Sequence, residues 1–163
     1  MKSSLKPAIF VALSLVGSSA AQALPYTLTT TLTADNHYAI YFGGVDGGGM
    51  REATMGGQHA RNELGAFGNP GRFNWSMAET WTLDYSSTEW LYVATWSDDR
   101  VAQGWIGEFA STHGSFLTGL DMGWEYILGN DNLGDNDPAP LADEVATLVA
   151  AGGWADVENS RDH

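Results

Sequence analysis

The chain is predicted to be all-β, an antiparallel β-sandwich or jelly roll with one C-terminal helix. Three observations carry this. Residues 80–85 alternate Trp81, Leu83 and Tyr85 against Thr80, Thr82 and Asp84, the period of two that sends successive side chains to opposite faces of a strand. Residues 89–96 put Trp90, Tyr92, Ala94 and Trp96 on one face and Leu91, Val93 and Thr95 on the other, so both faces ask to be covered, as in a central sandwich strand. Only residues 140–151 carry a convincing helical pattern.

Taken in order, residues 1–23 read as an export signal. Lys2 and Lys6 form its basic start, residues 8–16 its apolar core, and Ala21, Gln22 and Ala23 an A-x-A cleavage site. The apolar core is about nine residues long, against the ~20 that span a bilayer, and no later run approaches that length, so no membrane insertion is expected. The mature chain would begin at Leu24 and keep 140 of the 163 residues, enough for one domain with a substantial core. It would lose both lysines. Five arginines then face 20 acids, a formal charge of −15. Nucleic acid is disfavoured as a partner because its phosphates would be repelled. Cysteine is absent, so packing or bound metal must do what disulfides do in many exported domains.

Residues 26–33 alternate Tyr26, Leu28, Thr30 and Leu32 against threonines and predict an edge strand. After a turn at 34–36, Tyr38, Ile40 and Phe42 face one way in a second strand placed to pair with the first. The glycines of 43–49 make a hairpin loop that matches no nucleotide-binding pattern. Residues 50–75, with Arg51, His59, Arg61, Glu63 and Arg72, form a long glycine-rich stretch that is either a functional loop or a set of short strands. His59 and Glu63 are four apart, a metal-ligand spacing only if that stretch is helical.

Residues 79–109 hold the densest aromatic cluster, and the chain is organised around them. The polar turn at 86–88 predicts a hairpin between 80–85 and 89–96. A charged turn at 97–100 leads to a third strand at 103–110, bulged at Gly104 and Gly107. Two further strands are expected at 111–118 and 120–128, then an Asp/Asn loop at 129–138. In the helix that follows, Pro140 suits the first position, Asp143 and Glu144 the first turn, and Gly152 the end. Leu141, Val145, Leu148 and Val149 share a face that docks on the sandwich or on a partner. The sandwich domain is thus placed at 24–138, and the helix with a strandless tail at 139–163.

Several blocks resemble a known group. DNHYAIYFG at 35–43, RNE and GNPGRFNW within 61–75, and ETWTLDYSSTEWLYVATWSDD followed by WIGEF within 79–109 are similar to uncharacterised bacterial exported proteins of the PEP-CTERM-associated type. The resemblance implies a Gram-negative protein, secreted or at the cell surface, associated with the envelope and exopolysaccharide matrix. It implies no catalytic residues. The Pro-Glu-Pro sorting tail of that group is not found at 160–163.

For chemistry, G-x-S-x-G, H-E-x-x-H and a cysteine nucleophile are all missing, and carboxylate pairs drawn from Glu79, Asp84, Asp98, Asp99, Glu108 and Glu125 are expected by chance in so acidic a chain. A binding protein is therefore favoured over an enzyme. Trp90, Tyr92 and Trp96 are the candidate carbohydrate-binding residues: they are either core or an outward row on which sugar rings stack. Asp98 and Asp99 in one acidic turn, and Asp131, Asp135 and Asp137 in the other, are candidate calcium ligands, though the EF-hand spacing fails. The expected partner is polysaccharide, with calcium assisting. The alternatives are a self-assembling structural or surface subunit, and a glycoside hydrolase.

Overall fold

The computed structural model describes residues 25–62, 77–96, 104–119, 122–129, 133–134 and 137–157, together with the backbone of 8–13. In chain order the strands are β1 (Ala8–Leu13), β2 (Tyr26–Asp35), β3 (His37–Gly43), β4 (Arg51–Glu52), β5 (Thr54–Met55), β6 (Gln58–His59), β7 (Arg61–Asn62), β8 (Glu79–Tyr85), β9 (Trp90–Trp96), β10 (Gly104–Ser111), β11 (Gly114–Leu117), β12 (Glu125–Gly129) and β13 (Ala155–Asp156). One helix, α1 (Ala142–Ala151), lies between the last two. The fold is all-β and sandwich-like. The larger sheet runs β13-β12-β1-β9-β3-β4, with β7 also on the free side of β3, and the smaller runs β11-β10-β2-β8.

The two inner faces meet in a core of Leu28, Leu32, Leu83, Tyr85 and Phe109 from the smaller sheet against Tyr38, Ile40, Phe42, Leu91 and Val93 from the larger. Phe109 stacks on Phe116 at 5.0 Å and touches Trp124, so one end of this core is aromatic. The strand alternation is the cause: in β2, Leu28, Thr30 and Leu32 are buried while Thr27 and Thr29 are exposed. A second core lies on the opposite face of the larger sheet, where Ala39, Tyr41, Tyr92, Ala94, Trp96 and Ile127 are covered by Val145 and Val149 of α1. The helix docks on the sandwich. The Tyr41 hydroxyl donates to the Pro140 carbonyl at 2.5 Å, anchoring the start of the helix, and the Leu141 amide donates to Glu144 Oε2 at 2.6 Å.

Pairing differs from expectation in three places. β2, expected at an edge, lies inside the smaller sheet between β10 and β8. β8 and β9 are not a hairpin: β8 pairs with β2, from Tyr26↔Tyr85 to Leu32↔Glu79, while β9 pairs with β3 and β1. The turn at 86–89 carries the chain from one sheet to the other. β2 and β3 part in the same way, across a corner at Asn36. Alternation tells which face of a strand is apolar, and two consecutive strands can satisfy it by facing each other across a core as well as by lying side by side.

Three smaller outcomes concern irregular backbone. β10 pairs with β2 without a break from Gly104↔Asp35 to Ser111↔Leu28, so there is no bulge at its glycines. Gly107 is required by closeness instead: a Cβ there would sit 2.9 Å from the Phe109 ring and 3.2 Å from Leu32 Cβ. Residues 51–62 are short strands. β4 and β7 both pair with β3, and the β5–β6 hairpin departs between them. The tail expected to lack a strand contains β13, paired with β12. Among the described residues, no helix is long and apolar enough to cross a membrane.

Candidate functional site

A cleft of about 700 Å³ opens where the edge strand β8 meets the β6–β7 segment, lined by Met55, Gln58, His59, Arg61, Asn62 and residues 77–81. Its size falls in the range of ligand clefts. Its floor is built by the alternation of β8. Trp81, Leu83 and Tyr85 point inward, and Glu79 extends the same face by one step, which puts a carboxylate where the pattern otherwise places apolar side chains.

That carboxylate is met from the other sheet. Tyr38, fully buried in β3, donates its hydroxyl to Glu79 Oε2, and Trp81 Nε1 donates in turn to the Tyr38 oxygen at 2.8 Å. The half-buried indole is thereby held in one orientation. Burial raises the Glu79 carboxyl above its usual value and outweighs the hydrogen bond from Tyr38 and the amide of Asn62, which favour the ionised form. Asn62 faces this carboxylate without closing a hydrogen bond of ordinary geometry. Tyr38 is itself pushed well above the usual phenol range, first by burial and then by the carboxylate beside it.

Two lining residues, His59 and Arg61, meet a second carboxylate. Glu52, largely buried, takes His59 Nδ1 at 2.9 Å and Arg61 Nη1 at 3.3 Å. Its charge is thus matched locally, and among the described residues the cleft presents one acid, Glu79, beside cationic and amide donors and an indole. Such a set suits a neutral, hydroxyl-rich ligand: polar groups fix hydroxyls, and the ring offers a stacking face.

No family model, curated protein or solved structure matches this chain.

The residues singled out from the sequence are placed differently. Trp90, Tyr92 and Trp96 do lie on the outer face of the larger sheet, opposite Leu91 and Val93, but that face is the second core. Tyr92 and Trp96 are 1% and 3% exposed, and Trp90 is half-buried, so the outward sugar platform is not formed. α1 covers it, because a helix with Val145 and Val149 on one face needs an apolar surface and this is the one it meets. Tyr92 spends its hydroxyl on the Gly44 carbonyl at 2.7 Å, and burial, aided by the charge of Asp46, pushes its pKa up to about 12.

Of the candidate calcium ligands, Asp98, Asp99, Asp131 and Asp135 lie outside the described residues. Asp137 accepts from the Gly134 amide at 2.6 Å and closes a local turn. His59 is in a strand, so it does not share a helical face with Glu63, which is outside the described residues. In the sequence Glu79 is one of many acids, and Trp81 shares one face of its strand with Leu83 and Tyr85. The signal that could have found them is the acid in phase with Trp81, Leu83 and Tyr85.

Proposed function

We propose that this is an exported, envelope- or matrix-associated β-sandwich domain that binds polysaccharide, and that the glycan sits in the cleft at Glu79 and Trp81. The observation that carries the reading is the half-buried Trp81 indole, held by Tyr38 beside a carboxylate in an open cleft bordered by Arg61, His59 and Asn62. Export is supported by the basic, apolar and A-x-A succession at 1–23 and by the resemblance to exported matrix-associated proteins. Calcium belongs to this reading through the acidic sequences at 98–99 and 131–137, whose carboxylates are the hard oxygen ligands that calcium takes.

Tryptophan fluorescence of the purified protein, titrated with a panel of bacterial and plant polysaccharides with calcium and with EDTA, tests this. A saturable change is expected, weakened about tenfold by Trp81→Ala and unchanged by Trp90→Phe. A folded protein that responds to no glycan overturns the reading. Size that grows with concentration would then favour the structural-subunit alternative, and glycan turnover lost in Glu79→Gln would favour the hydrolase.

A further inference from the structure

The segment read as the apolar core of an export signal occupies a place inside the larger sheet. β1 stands between β9 and β12 and is antiparallel to both, with Ala8↔Gly129 through Ala12↔Glu125 on one side and Ile9↔Thr95 through Leu13↔Leu91 on the other. Along β9 the place is covered from both faces. On β9, Leu91 and Val93 belong to the inter-sheet core, while Tyr92 and Ala94, with Ile127 of β12, belong to the core under α1.

Neighbouring strands lie about 4.8 Å apart, so without β1 the gap between β9 and β12 is roughly 10 Å, too wide for the two to bond directly. β9 would keep β3, and β12 would keep only the two-residue β13. β9 would present unpaired backbone donors and acceptors between two apolar layers, and β12 would do so beside the core under α1, with Leu128 on its other face 48% exposed; the loss on β9 is the costly one.

We propose that removal of residues 1–23, a step that rests on the export reading above, opens a strand-acceptor slot, and that another polypeptide fills it with an extended apolar segment. The slot states the donor's chemistry. The donor spans about six residues, the length of β1, and runs antiparallel to both β9 and β12. It is apolar on both faces, since a strand buried on two sides cannot alternate, and it is free of proline, since every backbone N–H on it has a partner to meet.

The test uses the full chain carrying a specific protease site at Ala23, nicked after folding, and a fluorescently labelled peptide AIFVAL with solubilising ends. The slot predicts one-to-one exchange of the labelled peptide for the nicked segment, with the Val11→Pro peptide binding at least about tenfold more weakly. Native mass spectrometry reads the stoichiometry. Any of three results overturns the proposal: a nicked chain that stays folded and takes up no peptide, one that forms dimers sealed against peptide, or one that unfolds and is not restored by it. The intact mass of the exported protein answers the separate question of cleavage. A retained Met1 removes the export step, while peptide exchange still reports on the slot.

Discussion

Glu79 shows how one acid in an apolar row changes what a strand can do. On the inner face of β8 it is desolvated, which raises its carboxyl above the ordinary 4.5 despite Tyr38 and Asn62. A carboxyl with a higher pKa folded than unfolded holds its proton more tightly in the native state. Its contribution to stability is therefore present in full below the unfolded value and is lost as pH rises through the folded one. Stability should fall relative to Glu79→Gln as pH is raised from about 4 to about 7, read from urea midpoints of both proteins. Gln keeps an acceptor for Tyr38 and removes the titration, so a difference that is flat with pH would mean that Glu79 titrates alike in both states. The acid was legible at position 79 from the first, but its partner Tyr38 lies 41 residues away in the other sheet, and no local pattern joins them.

At the scale of elements, α1 decides what the aromatic row of β9 is for. Helix and row were both visible in the sequence, yet whether the row met solvent depended on where the helix docked. Val145 and Val149 are buried, Leu148 packs partly, and Leu141, expected on the same face, is 65% exposed at the helix start. Val145→Ala should cost about 2 kcal/mol, from two lost methyl groups and the space they leave, whereas Leu141→Ala should be close to neutral. Equilibrium denaturation of the two variants checks the contrast, and equal losses would mean that the helix docks through its first turn as well. The glycine loop belongs to the same arrangement. Gly47 has φ +83°, and a Cβ there would lie 2.5 Å from the Ala146 carbonyl oxygen, so the loop expected merely to reverse the chain also receives the helix.

For the whole molecule, the dominant feature is charge. Twenty acids against seven basic residues leave a formal charge of −13 before any processing. Self-repulsion opposes the compact state, and salt screens it over a Debye length of about 10 Å at 0.1 M. The melting temperature should accordingly rise between about 0.01 M and about 0.5 M sodium chloride, where the Debye length shrinks severalfold. Differential scanning calorimetry reads this directly, and a falling or flat Tm would mean that ion pairs such as Arg51–Glu89, at 2.8 Å, outweigh the repulsion. Both sheets are assembled from strands distant in sequence, β2 with β8 and β10, and β1 with β9 and β12, so the pairing that creates the cleft forms only as the whole chain closes.

Residue order alone makes legible the class of fold, the inward faces of β2 and β8, the central position of residues 90–96, and the helix near the C-terminus. These follow from the period of hydrophobic side chains, which is a local quantity. Tertiary structure alone decided which strands pair, that the short strands of 51–62 flank β3, that Trp90, Tyr92 and Trp96 lie beneath a helix, and that Tyr38 reaches Glu79. Each of those depends on where one element's apolar face finds another's. The period that marks such a face is silent about what will cover it.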